Sequence, residues 1–179
     1  MINAYEIIKK YYTEGSPLYK ILVQHSEHVK AKALEVAYRH PELQLDKTFI
    51  AEATMLHDIG IFMCDSPRIQ CFGTRQYVEH GYLGSHIITL EGLPRHALVC
   101  ERHTGTGLSL ETIVKRQLPL PHRDMMPVSL EEQVICYADK FFSKSKLATP
   151  HTLEHICEIL NRHGEDESEK FFEWHKRFK

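Results

Sequence analysis

Long apolar runs are missing from this 179-residue chain, and no stretch approaches the roughly 18 to 20 residues that a membrane span needs. The first residues, MINAYEIIKKYYTEG, carry charges where a signal peptide has its apolar stretch, so a cytosolic location is expected. Charge of one sign is missing too. A net charge of −2 gives no electrostatic footprint for nucleic acid or an acidic membrane, and no nucleic-acid or membrane partner is expected on this ground. Glycine and proline are sparse, which excludes low-complexity and fibrous classes. The cysteines (Cys64, Cys71, Cys100, Cys136 and Cys157) are odd in number and show no C-x-x-C spacing, so neither a disulfide framework nor a thiolate zinc site is indicated. They read as small buried hydrophobes, with Cys71, in a polar loop, the one expected to be exposed. Histidine is what the chain has in excess, with 13. Several, such as His40, His151 and His163, read as ordinary exposed residues; the others stand where chemistry is expected.

The length suits one domain, and the periodicity is helical nearly throughout. A short helix covers about residues 2 to 14. Ser16 and Pro17 start the next, whose apolar residues Leu18, Ile21, Leu22, Val29, Ala33 and Val36 recur at helical steps, with His25 on the same stripe. Asp46 caps a third helix, about 47 to 59, that Gly60 ends and whose last turn holds His57 and Asp58. Residues 61 to 79 read as a loop. Helices follow at about 80 to 91, 94 to 103 and 109 to 117, then a proline-rich loop at 118 to 127. Ser129 and Glu132 form a capping box opening the helix that carries Asp139. Thr149 and Pro150 start a helix near 150 to 163. After Gly164, Phe171, Trp174, His175 and Phe178 give a last amphipathic set that could pack on the core or on a second copy of the chain, leaving a homodimer open. No strand-like alternation is present, and the expected class is all-α.

Each polar residue on these inward faces has an ordinary structural reading. His25 alone reads as a core histidine with a hydrogen-bond partner, and His28 as a half-exposed neighbour. Asp58 could cap a helix while His57 packs, and Asp139 could form a cap or a salt bridge. His80 and His103, at helix boundaries and followed by small residues, could be inert. A buried carboxylate beside an imidazole is nevertheless costly without a cation, and a divalent metal resolves the cost for both.

The order of these parts resembles the HD-domain superfamily of metal-dependent phosphohydrolases. The matching stretches are His25-Ser-Glu-His-Val29, Ala53-Thr-Met-Leu-His-Asp-Ile-Gly60, His80-Gly-Tyr-Leu-Gly-Ser85, Glu101-Arg-His-Thr-Gly105 and Ala138-Asp-Lys140, and they span about residues 20 to 145. Small stand-alone HD proteins and di-iron hydrolases of diadenosine polyphosphates are the nearest in kind. The resemblance implies a single HD-like helical bundle over 1 to 179, with its core at about 20 to 145, a helical extension at about 150 to 178, and the metal site in the core. It implies that His25, His57, Asp58 and Asp139 hold one divalent ion, and that Asp58 bridges to a second held by His80 and His103. Fe, Mn, Co, Mg and Zn all suit such ligands. Asp58 and Lys140 are then the catalytic pair, and Arg68, Arg75, Thr104 and Lys140, with the amides of 105 to 107, are candidates for binding substrate. The chain departs from the family at Ile61, where many members have Lys or Arg. The activity implied is hydrolysis of a small phosphorylated substrate, a nucleotide in the first instance. A di-iron oxygenase, a non-catalytic nucleotide-binding module and a purely structural histidine cluster stand as alternatives.

Overall fold

The computed structural model describes residues 2–162 and 165–179. The exposed His163 and the break at Gly164 expected from the sequence lie outside the described residues. Among the described residues the chain is helical apart from one two-stranded hairpin, as an all-α reading requires.

Helix α1 (Ala4–Tyr11) is shorter than its periodicity suggested, ending where Tyr12 turns extended. Helix α2 (Pro17–Arg39) opens on Ser16, whose hydroxyl accepts from the Tyr19 amide, with Pro17 at its first position. Helix α3 (Lys47–Leu56) opens on Asp46, which accepts from the Phe49 amide at 2.9 Å and pairs with Arg95 at 2.8 Å. These contacts hold the Asp46 carboxyl below its usual range, the Phe49 amide first and Arg95 after it. A depressed folded pKa means stabilisation that is complete above the unfolded carboxylate value and lost as pH falls below about 4. Asp46→Ala is expected to cost about 1 kcal/mol at pH 7 and much less at pH 3, read by urea denaturation at the two pH values.

Helix α3 stops at Leu56, three residues before the end expected at 59. Residues 61 to 79 are not a plain loop. They fold into single 3-10 turns at Ile61–Met63, Pro67–Ile69 and Tyr77–Glu79 around a hairpin of β1 (Asp65–Ser66) and β2 (Cys71–Phe72). The hairpin turns Cys71 inward, so it is buried rather than exposed; Cys157 is the cysteine that keeps partial exposure. Period-two alternation cannot be read from strands two residues long, which is why the sequence hid them. At the last 3-10 turn, Gln76 and Glu79 cap one another's backbone amides, a box with Gln in the place of the usual Ser or Thr.

Helix α4 (His80–Leu90) and α5 (Pro94–Arg102) form a tight pair, and α6 (Leu110–Lys115) follows. The closeness of α4 and α5 explains Gly81: a Cβ there would lie 2.4 Å from the Cys100 carbonyl oxygen, so the small residue after His80 serves helix packing. Helix α7 (Leu130–Asp139) opens on Ser129, but the capping box is only half formed. Ser129 accepts from the Glu132 amide, while the Glu132 carboxylate turns to the Val128 amide and to Arg102, both at 2.9 Å. Helix α8 (Leu153–Asn161) starts at its cap Thr152, later than the Pro150 start expected. Helix α9 (Glu165–Phe178) packs on its own chain. Phe171 and Phe178 are buried with their rings 5.4 and 5.6 Å from Tyr137, and His175 bonds the Tyr137 hydroxyl at 2.9 Å. Burying each phenylalanine contributes roughly 1.5–3 kcal/mol. Phe171 and Phe178 of the aromatic set therefore pack on the core of their own chain, with Trp174 only partly buried.

Two large apolar clusters fill the interior. Val29, Phe49, Ala53, Ile135 and Phe171 belong to one. Leu22, Leu56, Ile59, Ile88 and Cys100 belong to the other. His25 lies between Leu22 and Val29 on α2, and His57-Asp58 follows Leu56, so these polar side chains sit on the seam between the clusters.

Candidate metal centre

The seam gathers side chains from five places in the chain. His25 comes from the middle of α2, His57 caps the end of α3 and Asp58 follows it. His80 is the first residue of α4, His103 follows α5, and Asp139 is the last residue of α7. All six are buried, with His25, His57 and Asp58 fully so. Two groups of potential ligand atoms result, each within 4.8 Å: His25, His57, Asp58 and Asp139 in one, and Asp58, His80 and His103 in the other.

Asp58 faces both groups through different oxygens. Its Oδ2 lies 3.1 Å from Nε2 of His25 and 3.1 Å from Nε2 of His57. Its Oδ1 lies 3.3 Å from Nε2 of both His80 and His103. Asp139 Oδ1 completes the first group, 2.9 Å from His25 Nε2 and 3.4 Å from His57 Nε2.

Local folding fixes how three of the imidazoles present themselves. Nδ1 of His57 meets the Thr54 carbonyl at 2.6 Å, Nδ1 of His80 the Tyr77 carbonyl at 2.6 Å, and Nδ1 of His103 the Cys100 carbonyl at 2.7 Å. A carbonyl only accepts, so each Nδ1 carries the proton and each Nε2 is turned inward. Each histidine ends a helical turn, and the carbonyl one turn back is within reach of its ring. Such a tautomer leaves Nε2 of a neutral ring as a bare lone pair. His80 and His103 point theirs at each other across 3.0 Å. Two lone pairs so placed repel unless a cation or proton lies between them. The separation is that of two neighbouring ligands on an ion with bonds of about 2.1 Å.

Burial and charge act in opposite directions across the seam. Burial pushes His103 down to about 4, which keeps it neutral. Burial also opposes a proton on His57, but the Asp58 and Asp139 carboxylates override it and raise His57 to about 9. Asp58 and Asp139 stay ionised, well below the usual carboxylate range: burial opposes this, and His57 with Lys144 for Asp58, and Lys140 with His25 for Asp139, outweigh it. His57 Nε2 and both Asp58 oxygens are buried with no hydrogen bond of acceptable geometry. A site with orphaned donors and acceptors, two carboxylates and inward lone pairs fits a divalent cation, and these residues are the ones able to hold it.

Lys144 is the residue that sequence reasoning missed. It lies in the irregular segment after α7, and its ammonium is 2.6 Å from Asp58 Oδ2. No spacing rule marks it, because nothing between Phe142 and Ser145 repeats with a helical period. Lys140 is held by the Asp139 carboxylate at 2.8 Å and the His103 carbonyl at 3.0 Å, so it braces the ligands and is not a free arm for substrate. Arg75 pairs with Glu79 at 2.5 Å, away from Asp58. Thr104 lines a cavity of 490 Å³ that reaches His80, His103, Lys140 and Lys144. Arg68 lines a second, of 330 Å³, that reaches Asp139, Lys140 and Lys144. The amides of the 105–107 loop are largely spent: Thr106 donates to Glu167 at 2.7 Å, and Gly107 to the Thr104 carbonyl at 2.9 Å. Ile61, where a family lysine would stand, is fully buried in the core. His28 is partly buried, its ring 5.4 Å from Phe142.

No protein-family model and no solved structure matches the chain. It is 30% identical over 128 residues to the uncharacterized protein MJ0778 of Methanocaldococcus jannaschii, an alignment that covers 70% of this chain and 68% of the relative. The chain belongs to the family of that archaeal protein. It is also 29% identical over 157 residues to a tRNA (cytidine(56)-2'-O)-methyltransferase of Thermoplasma volcanium, covering 87% of this chain and 41% of the relative. A protein of the same name from Picrophilus torridus is 27% identical over 144 residues, covering 80% of this chain and 38% of that protein. The chain thus spans about two fifths of the length of the relatives that carry a functional name.

These relatives correct the expected activity. Both are named for methyl transfer to tRNA, and neither for hydrolysis of a phosphoester or phosphoanhydride, so the expected phosphohydrolase activity does not stand. The same names tell against the partner expected: both relatives are named for acting on tRNA, not on a small nucleotide in the absence of nucleic acid. The physical reason is that net charge is a sum over the whole chain. A value of −2 does not report how cations are grouped in one cavity.

Proposed function

We propose that this chain is a helical, metal-binding domain of the HD type that serves tRNA modification, holding two divalent ions that share Asp58. What supports the reading most is the double presentation of Asp58, Oδ2 to the group of His25, His57 and Asp139 and Oδ1 to His80 and His103. Bound ions would supply Lewis-acid charge beside the 490 Å³ cavity that His80, His103 and Asp139 line. The protein's own residues do the rest: backbone carbonyls hold three imidazoles in one tautomer, Lys140 braces Asp139 against the His103 turn, and the apolar clusters exclude water. The HD-type arrangement over about residues 20 to 145, with the helices beyond 150 as an extension of one domain, is part of the same proposal.

The tRNA setting comes from the names of the two longer relatives. In this reading, methyl transfer belongs to the larger part of their length, which this chain does not span, and the segment shared with this chain contributes the metal centre. The test pairs metal analysis with RNA binding. Full-length protein dialysed against Mn²⁺ is expected to retain two ions per chain by elemental analysis, and one after His80→Ala. Bulk tRNA should bind the Mn²⁺-loaded protein more tightly than the EDTA-treated protein in fluorescence anisotropy. Retention of no ion, or tRNA affinity identical with and without EDTA, sinks the proposal.

A further inference from the structure

The first ligand group already contains a cation, and it belongs to the chain. Lys144 Nζ is 2.6 Å from Asp58 Oδ2, the oxygen that also faces His25 and His57. Its side chain is mostly buried and the Asp58 side chain wholly so. A carboxylate in that position needs a positive charge, and among the described residues Lys144 is the lysine or arginine that reaches it. Lys140, the other lysine at the site, is spent on Asp139 and the His103 carbonyl.

Resting on the metal-centre reading above, we propose that Lys144 occupies the cation position of the first ligand group when that group is unloaded. We further propose that loading expels its ammonium into the adjoining 330 Å³ cavity, where Lys144 and Arg68 form a subsite for a phosphate group of RNA. The ion and the ammonium compete for one oxygen, and a divalent charge beside an ammonium in a buried site repels it. The segment carrying Lys144 can release it. Ser143 and Ser145 flank it, a single turn closes it from Lys146 amide to Ser143 carbonyl at 3.2 Å, and no helix has to move. The cavity beside it is open to such a movement. Arg68, Ser66, Ser143 and Ser145 line it, and Arg68 forms no ion pair among the described residues. A guanidinium and an ammonium facing one cavity with serine hydroxyls match a phosphate oxygen set. Because the ammonium leaves one site to make the other, metal and phosphate each raise the affinity of the other by the same factor.

Calorimetric titration of Mn²⁺ into the full chain, with and without inorganic phosphate, tests this. For the native protein, phosphate should tighten Mn²⁺ binding. In Lys144→Met, Mn²⁺ should bind about tenfold more tightly without phosphate, and phosphate should no longer change the value. Lys144→Arg, which keeps the charge, should stay near the native affinity. Arg68→Met, on an exposed residue that leaves the fold intact, should keep the native Mn²⁺ affinity and lose the phosphate effect. Circular dichroism reports whether each variant is folded. If folded Lys144→Met binds Mn²⁺ no more tightly than the native protein, or if Arg68→Met keeps the full phosphate effect, the proposal is overturned while the metal centre stands. If the native protein binds no Mn²⁺, the metal centre itself falls and this inference with it.

Discussion

Asp58→Asn is expected to remove both ions from the protein at once, lowering Mn²⁺ stoichiometry from two per chain to none at concentrations that saturate the native site. No other single substitution of the six ligands should do so, because Asp58 alone belongs to both ligand groups. The amide keeps the shape of the carboxylate but loses its charge, and it replaces one acceptor oxygen with a donor that faces histidine nitrogens. His80→Ala or His103→Ala should remove one ion and leave the group of His25, His57 and Asp139. Stability supplies an independent reading. Ligand binding to the folded state alone adds about 2.7 kcal/mol when the free ion is at 100 times its Kd. The native protein should therefore melt higher with Mn²⁺ than with EDTA, and Asp58→Asn should melt at the same temperature in both. Equal Mn²⁺ stoichiometry in variant and native protein would show that the shared-carboxylate arrangement does not hold ions.

Gly60→Ala should be the most damaging exchange of a single hydrogen for a methyl group near the site. A Cβ at position 60 would lie 2.2 Å from the His80 carbonyl oxygen and 2.5 Å from the Gly84 amide nitrogen, all backbone atoms that no rotamer change can move away. The residue has φ −81°, a value any amino acid adopts, so the demand is for space and not for a left-handed backbone. This corrects the reading of Gly60 as a helix-ending glycine. The expected loss is about 3 kcal/mol or more, since the start of α4 must retreat from the turn after Asp58. For a chain of this size that is a fall of roughly 6–12 °C in melting temperature, read by calorimetry. The same retreat draws His80 from Asp58 Oδ1, so Mn²⁺ binding at the second group should weaken together with stability. A variant that melted like the native protein would mean that α4 does not pack on this turn.

The corrections at the site share one cause with the corrections in the fold. Arg75 and the 105–107 amides read as candidates because their chemistry suits phosphate. The structure commits Arg75 to Glu79, the Thr106 amide to Glu167 on α9, and the Gly107 amide to Thr104. Glu167 lies 61 residues from Thr106, and no local pattern announces a contact of that range. Cys71 looked exposed in a polar sequence and is buried by a hairpin too short to show a period. The hydrolase expectation failed differently. It passed from a family resemblance to a reaction, although the same histidines and carboxylates suit many uses, and the relatives with a functional name are named for tRNA methylation.

A family resemblance singled out the six side chains gathered on the seam; by itself the sequence determined the helical class, the cap residues Ser16, Asp46 and Ser129, and the inward stripe bearing His25. These are matters of period and local hydrogen bonding, which a chain carries in adjacent residues. Only the tertiary structure decided that Asp58 turns one oxygen to each ligand group, that three imidazoles lock their Nδ1 protons onto carbonyls one turn back, and that Lys144 supplies the internal positive charge. Lys144 and Asp58 are far apart in the chain, and the energy that joins them arises only when burial removes water from a carboxylate and leaves the nearest ammonium to replace it.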